Sequence, residues 1–156
     1  MEPSYREPNI FVGGLICSGK TTFADRISKH GGHTKIDIGD IVRQLLNSTT
    51  RTHNKDLDQA IIKELKQQLS QVDKAVVVGI RQPQILQAVL QEDDLCVWLD
   101  PEMEVLKERY EHRGAIKDQK LTFEQAIELD RELGIDKVKE MMNNHPNEMN
   151  LELLDK

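Results

Sequence analysis

Apolar positions along the chain follow two different periods. Four short runs are dense in apolar and β-branched residues: 10–12, 35–38, 75–80 and 95–99. The third, AVVVGI, is nearly continuous, the pattern of a strand covered on both faces of a parallel sheet. Between these runs the apolar residues recur at helical spacing. Residues 20–30 form one helical stretch, stopped by Gly31-Gly32. A short one follows at 40–46. Leu57, Ile61, Leu65 and Leu69 recur every fourth residue, which predicts an amphipathic helix beginning at the Asp56/Asp58 caps.

Later helices carry their own punctuation. Pro83 precedes a helix over 84–90. Asp100-Pro101 is a cap and first-turn proline opening 102–113. Thr122-Phe-Glu-Gln125 is a capping box for a helix to Leu133, closed by Gly134. Asp136 is expected to cap 137–144, with Pro146 ending it. Strands alternating with helices imply parallel β-α-β units with right-handed crossovers. The expected architecture is therefore α/β, three layers α/β/α around a parallel sheet. Residues 147–156 are read either as a short fifth strand around 151–154 or as a frayed tail. The polar stretch 47–55 (NSTTRTHNK) has no period and reads as an exposed loop between helices.

Composition bounds this picture. The 156 residues suit one domain spanning 1–156, with 1–8 as a flexible start. A net charge of −6 argues against a broad basic face that coats nucleic acid, and leaves room for a local cationic pocket. Cys17 and Cys96 are too few for a disulfide framework or a Cys-rich zinc site, and fit a reducing, cytoplasmic setting. Cys96 reads as a small buried hydrophobe. No apolar run is long enough to span a membrane, and MEPSYREPN lacks the apolar stretch of a secretory signal. The five histidines do not fall at metal-ligand spacing. Trp98 is expected to pack on the sheet. Met141-Met142 reads as core or as a homodimer contact.

The chemistry is concentrated in GLICSGKT at 14–21, which matches GxxxxGK[ST] without a mismatch. Its glycines let successive N–H groups turn inward on phosphate oxygens. The helix that follows points its positive end at the same place. Gly14, Cys17, Ser18, Gly19, Lys20, Thr21 and Thr22 are thus expected to hold a nucleotide. Lys20 would bridge the β- and γ-phosphates, and the Thr21 hydroxyl would ligate Mg²⁺. An apolar strand leads in and an amphipathic helix leads out, the context the motif requires. No Asn-Lys-x-Asp guanine reader follows, which argues against a GTPase. The short chain, with a charged or small residue after each strand, suggests a small kinase whose loop holds ATP with Mg²⁺ and whose strand ends hold the acceptor.

Beyond the loop, four segments resemble a family. IDIGDIVR at 36–43 resembles the I-S-T-G-D-x-x-R segment of adenylate kinases, and with one residue inserted the I-D-A-D-x-x-x-R-Q segment of dephospho-CoA kinases. GIRQP at 79–83 resembles the turn that ends their third strand. ERYEHRG at 108–114 resembles the arginine-bearing start of their lid, and LDRELGI at 129–135 a segment of small dephospho-CoA-kinase-like proteins. The chain is thus similar to nucleoside monophosphate kinases and dephospho-CoA kinases over about residues 9–144, and the resemblance implies their P-loop fold, with strand order 2-3-1-4 and room for a fifth strand.

The resemblance implies roles. Arg43 and Arg81 would bind an acidic acceptor, a task planar guanidinium forks suit. Arg109 and Arg113, four apart on one helical face, would stabilise charge on the transferred phosphoryl, and Arg131 could join them. Asp37 would be the base and help hold Mg²⁺. Asp40 would sit at the substrate end, mostly as a cap. Residues 40–72 would form acceptor-binding helices, 109–122 a short lid and 146–156 a tail.

Two departures qualify this. Val78 stands where adenylate kinases have an acid before the glycine, and Ile38 replaces their Thr. The expected function is phosphate transfer from ATP to a nucleotide-type acceptor. The alternatives are a kinase acting on 5-hydroxymethyluracil in DNA, with DNA as partner, and a nucleotide-binding regulator without transfer chemistry.

Overall fold

The computed structural model describes residues 8–46, 55–117 and 121–145. The four apolar runs become the strands β1 (Ile10–Gly14), β2 (Thr34–Asp37), β3 (Ala75–Val78) and β4 (Leu95–Leu99). They form one sheet in the order β2-β3-β1-β4, all parallel, with Phe11 level with Val77 and with Cys96. The expected order holds. The connecting helices are α1 (Lys20–Gly31), α2 (Ile38–Leu46), α3 (Lys55–Ser70), α4 (Pro83–Val89), α5 (Met103–Lys117), α6 (Phe123–Leu133) and α7 (Ile135–Asn144).

Alternation along the strands divides the core. Ile10, Val12, Val76 and Val78 face α1, where they bury Ala24 and Ile27. Phe11 and Val77 face the opposite layer, packed with Ile61 and Leu65 of α3, Leu86 of α4, and Val138 and Met142 of α7. Burying such side chains stabilises the fold by about 1.5–3 kcal/mol each. A third, smaller cluster joins Leu106 and Tyr110 of α5 to Phe123, Ala126 and Ile127 of α6. Leu15, Ile16 and Cys17 pack against it. The last two helices before α7 therefore rest on the loop after β1.

Buried polar groups tie the strands together at their N-terminal ends, opposite the phosphate loop. Asn9 accepts from the Ala75 amide through Oδ1 at 2.9 Å, and its backbone N–H donates to Asp94 Oδ1 at 2.9 Å. Cys96 is buried, and burial pushes its thiol up to about 12. Met142 lies in the chain's own core, and Trp98 packs beside it.

Three helix starts differ from expectation by about two residues. Helix α2 begins at Ile38 rather than 40, so Asp40 falls in its first turn instead of capping it. Helix α3 begins at Lys55, ahead of the proposed caps, and Asp58 instead accepts from Gln84 at 2.6 Å. Helix α7 begins at Ile135 rather than behind an Asp136 cap. Gly134, at φ 106°, ends α6 and starts α7 in one residue, a left-handed position that favours glycine. Asp136 falls in the first turn, where the helix dipole still favours a carboxylate. The loop 47–54 and the 146–156 tail, including the fifth-strand expectation, lie outside the described residues. No described helix is long and apolar enough to cross a membrane.

Candidate active site

The site is built where β1 gives way to α1. Backbone at Cys17 (φ 63°) and Gly19 (φ 94°) is left-handed, which curls residues 15–19 into a concave turn. For Cys17, which has a side chain, that conformation costs about 1–3 kcal/mol, a strain typical of functional loops. Gly19 precedes α1 with no side-chain cap, and no acid stands in the first turn. The first N–H groups of α1 are therefore available to an anion. Ser18 is buried, and its hydroxyl has no protein partner.

Lys20 folds back into this turn. Its Nζ donates to the Gly14 carbonyl at 2.7 Å and to Leu15 at 3.1 Å. Burial, helped by the charge of Arg81, brings its pKa down to about 8, while Asp130 and Asp37 pull the other way.

The opposite wall comes from β2 and β3. Asp37 ends β2, and its Oδ1 accepts from the Gly39 amide at 2.8 Å, which fixes the carboxylate at the start of α2. Gly79 follows β3 closely, and a Cβ there would stand 3.3 Å from the same oxygen. Arg43 of α2 and Arg81 after β3 line the same cleft. Asp40 does not line it: its exposed carboxylate pairs with Arg43 one turn on. Arg109 of α5 lies over the loop, with Nη1 donating to the Cys17 carbonyl at 3.2 Å.

These groups enclose a cleft of about 690 Å³, within the usual ~300–1,000 Å³ of small-molecule sites. Lys20, Arg26, Arg43, Arg81 and Arg109 line it, and among the described residues Asp37 is its one acidic member. Cys17, Ser18, Gly19, Thr21 and Thr22 line it as well. The Arg113 side chain and residues 118–120 of the expected lid lie outside the described residues. Arg131 points away and meets Asp136 at 3.9 Å.

Two residues were not singled out from the sequence. Arg26 lines the cleft, and its signal was a position four residues past Thr22, on one face of α1. Asp130 is 3% exposed and meets Arg81 Nε through Oδ1 at 3.3 Å. Its signal was an acid in register with the apolar face of Phe123, Ala126 and Ile127. Burial raises its pKa, against Arg81, Lys20 and the Ile16 amide, which favour the carboxylate.

A nucleoside triphosphate fits the cationic, amide-lined turn. For Mg²⁺, the Thr21 hydroxyl and the Asp37 carboxylate are oxygen donors on the cleft wall. Among the described residues no group of three or more acidic, His or Cys side chains could hold a metal by itself.

A family model described as an AAA domain matches residues 10–132. No curated protein matches the chain. Among solved structures, a gluconokinase from Sinorhizobium meliloti is similar at 18% identity and TM-score 0.56, over 81% of this chain and 74% of that one. An uncharacterized protein from Eubacterium ventriosum is similar at 14% identity and TM-score 0.54, over 87% and 76%. A chain of the Pnkp1/Rnl/Hen1 RNA repair complex is similar at 17% identity and TM-score 0.63, over 90% of this chain and 48% of that one. At such identities the likeness is one of fold: a parallel α/β sheet carrying a phosphate loop.

Proposed function

The chain belongs to the AAA domain family, and on that premise we propose that it is a small phosphotransferase moving the γ-phosphate of ATP, with Mg²⁺, to a hydroxyl of a nucleotide-type acceptor. The observation that carries this reading is the placement of Lys20 and Asp37 on one cleft. One is a cation at the base of a phosphate-binding turn. The other is a carboxylate held by a backbone amide at the far wall.

The proposed roles use the geometry of the cleft. The turn from Gly14 to Gly19, with Lys20, Thr21 and Thr22, binds the triphosphate. Arg109, hydrogen-bonded to that turn, stands beside it and supplies positive charge for the transferred group. Arg113 shares this role by its place one turn further along α5. Arg43 and Arg81 hold an anionic part of the acceptor, and Asp40 holds Arg43. The acceptor oxygen bonds to the γ-phosphorus as the bond to the bridging β,γ-oxygen breaks. The hydroxyl proton passes to Asp37 and ADP leaves. Thr21 and Asp37 would hold Mg²⁺, which would supply charge neutralisation at the phosphates.

A second acceptor is a nucleotide within a nucleic acid. The Arg43 side chain is 69% exposed, so a strand could reach it from outside. A panel of nucleoside monophosphates, dephospho-CoA and hydroxymethylated DNA, incubated with γ-labelled ATP, separates these readings. Salt separates them again: binding of a strand weakens steeply with ionic strength, and binding of a mononucleotide only slightly. Nucleotide binding without transfer to any acceptor would leave a regulator as the better reading.

A further inference from the structure

Asp130 has no role in the chemistry above, yet it is a carboxylate with 3% exposure on α6, a helix that otherwise buries Phe123, Ala126 and Ile127. Burying such a charge is costly, and replacing a buried ion pair by apolar groups is often neutral or stabilising. Packing alone therefore gives no reason for an acid at this position. Its surroundings do. Oδ1 meets Arg81 Nε at 3.3 Å, and Lys20 and the Ile16 amide of the phosphate loop also favour its charged form. Oδ2 has no partner.

The contact is braced from both ends. The Gly134 turn that closes α6 lies against the segment carrying Arg81: a Cβ on Gly134 would stand 2.6 Å from Pro83 Cδ and 3.9 Å from the Arg81 carbonyl. Arg81 itself stays 42% exposed in its side chain, and its ion pair with Asp130 uses Nε. Both terminal nitrogens thus remain for an anion in the cleft.

Resting on the acceptor-binding role of Arg81, we propose that Asp130 is a positioning residue that fixes the Arg81 guanidinium by its Nε and so sets the geometry of acceptor binding. A carboxylate on one edge of a guanidinium leaves the opposite fork pre-oriented, so less freedom is lost when the acceptor anion docks. The same carboxylate lies between two cations, Lys20 and Arg81, that repel each other. It keeps both near the site where phosphates must meet.

The test uses the full chain and two readouts. The first needs no acceptor: the ¹H–¹⁵N spectrum of arginine Nε–H groups in wild type, Asp130→Asn and Arg81→Lys. The Arg81 resonance, identified by its loss in Arg81→Lys, shifts and exchanges faster in Asp130→Asn. An unchanged Arg81 resonance in folded Asp130→Asn overturns the proposal. The second is a double-mutant cycle on the acceptor that the transfer panel identifies. Asp130→Asn raises the acceptor KM about 10- to 100-fold, while kcat and ATP affinity change less than threefold. In an Arg81→Ala background the same change adds almost nothing. Effects that multiply in the double variant, or that fall on kcat and ATP binding alike, overturn the proposal. If wild type transfers phosphate to nothing in the panel, the phosphotransfer reading fails by itself. The spectrum still decides whether Asp130 holds Arg81.

Discussion

Lys20 Nζ donates to the carbonyl of Gly14 at 2.7 Å, so the lysine expected to hold the transferred phosphate lies against the loop that would cradle it. Burial with Arg81 nearby brings this lysine's pKa down to about 8. Triphosphate binding adds anionic oxygens beside Lys20 and favours the protonated form. Below about pH 8 the charge is already present. Above it, binding must take up a proton, so ATP affinity weakens by up to about tenfold per pH unit. Calorimetric titration across pH 7–10 checks this. Lys20→Arg, which stays charged, flattens the profile.

The same shift has a sign for stability. The folded pKa lies below the unfolded one, so the unfolded chain binds more protons between about pH 8 and 10.5. The cost of burying a charged Lys20 is full below that window and is relieved as pH rises through it. In denaturant melts over this window, wild type gains stability relative to Lys20→Met, by about 1–3 kcal/mol.

Asp37→Asn keeps the Gly39 hydrogen bond, because the amide oxygen still accepts, but it cannot take a proton. Transfer to a hydroxyl acceptor falls by about 10²–10⁴-fold while ATP binding changes little. Asp40→Asn, which loosens only the pairing with Arg43, costs less than tenfold. Single-turnover rates distinguish the two. Undiminished transfer in Asp37→Asn would move the base elsewhere or make the acceptor a phosphate.

Thr122 opens α6 with a complete capping box: its hydroxyl accepts from the Gln125 amide at 3.1 Å, and Gln125 Oε1 accepts from the Thr122 amide at 2.9 Å. Thr122→Ala removes one half and costs about 1 kcal/mol, read as a lowered melting temperature. Because α6 carries Asp130, the acceptor KM rises in parallel. Leu106→Ala, in the cluster that seats α5 and α6 on the phosphate loop, costs about 2–5 kcal/mol.

What the sequence disclosed followed from contiguity. The strands were readable because each is a compact apolar run, and the phosphate loop because its chemistry lies in eight successive residues. The order β2-β3-β1-β4 matched the one implied by the resemblance to small P-loop kinases, since alternating elements by themselves give parallel strands and no order. Asp130 was hidden because its partners Arg81 and Lys20 come from distant segments, and because the adjacent Arg131 drew attention to the motif's basic residue. Its register with Phe123 and Ile127 was the available signal. The α7 start shifted because Gly134 serves two helices at once, a junction that local capping rules treat as two separate events.

The central claim is that Lys20 and Asp37 share one phosphotransfer cleft. It is tested most directly by incubating wild type, Lys20→Ala and Asp37→Asn with γ-labelled ATP and Mg²⁺ over the acceptor panel. The account predicts label on one hydroxyl-bearing nucleotide acceptor with wild type. It predicts none with Lys20→Ala, and transfer reduced at least a hundredfold in an Asp37→Asn protein that still binds ATP. Label transferred equally by wild type and Lys20→Ala, or ATP bound by wild type with no acceptor labelled, would contradict it.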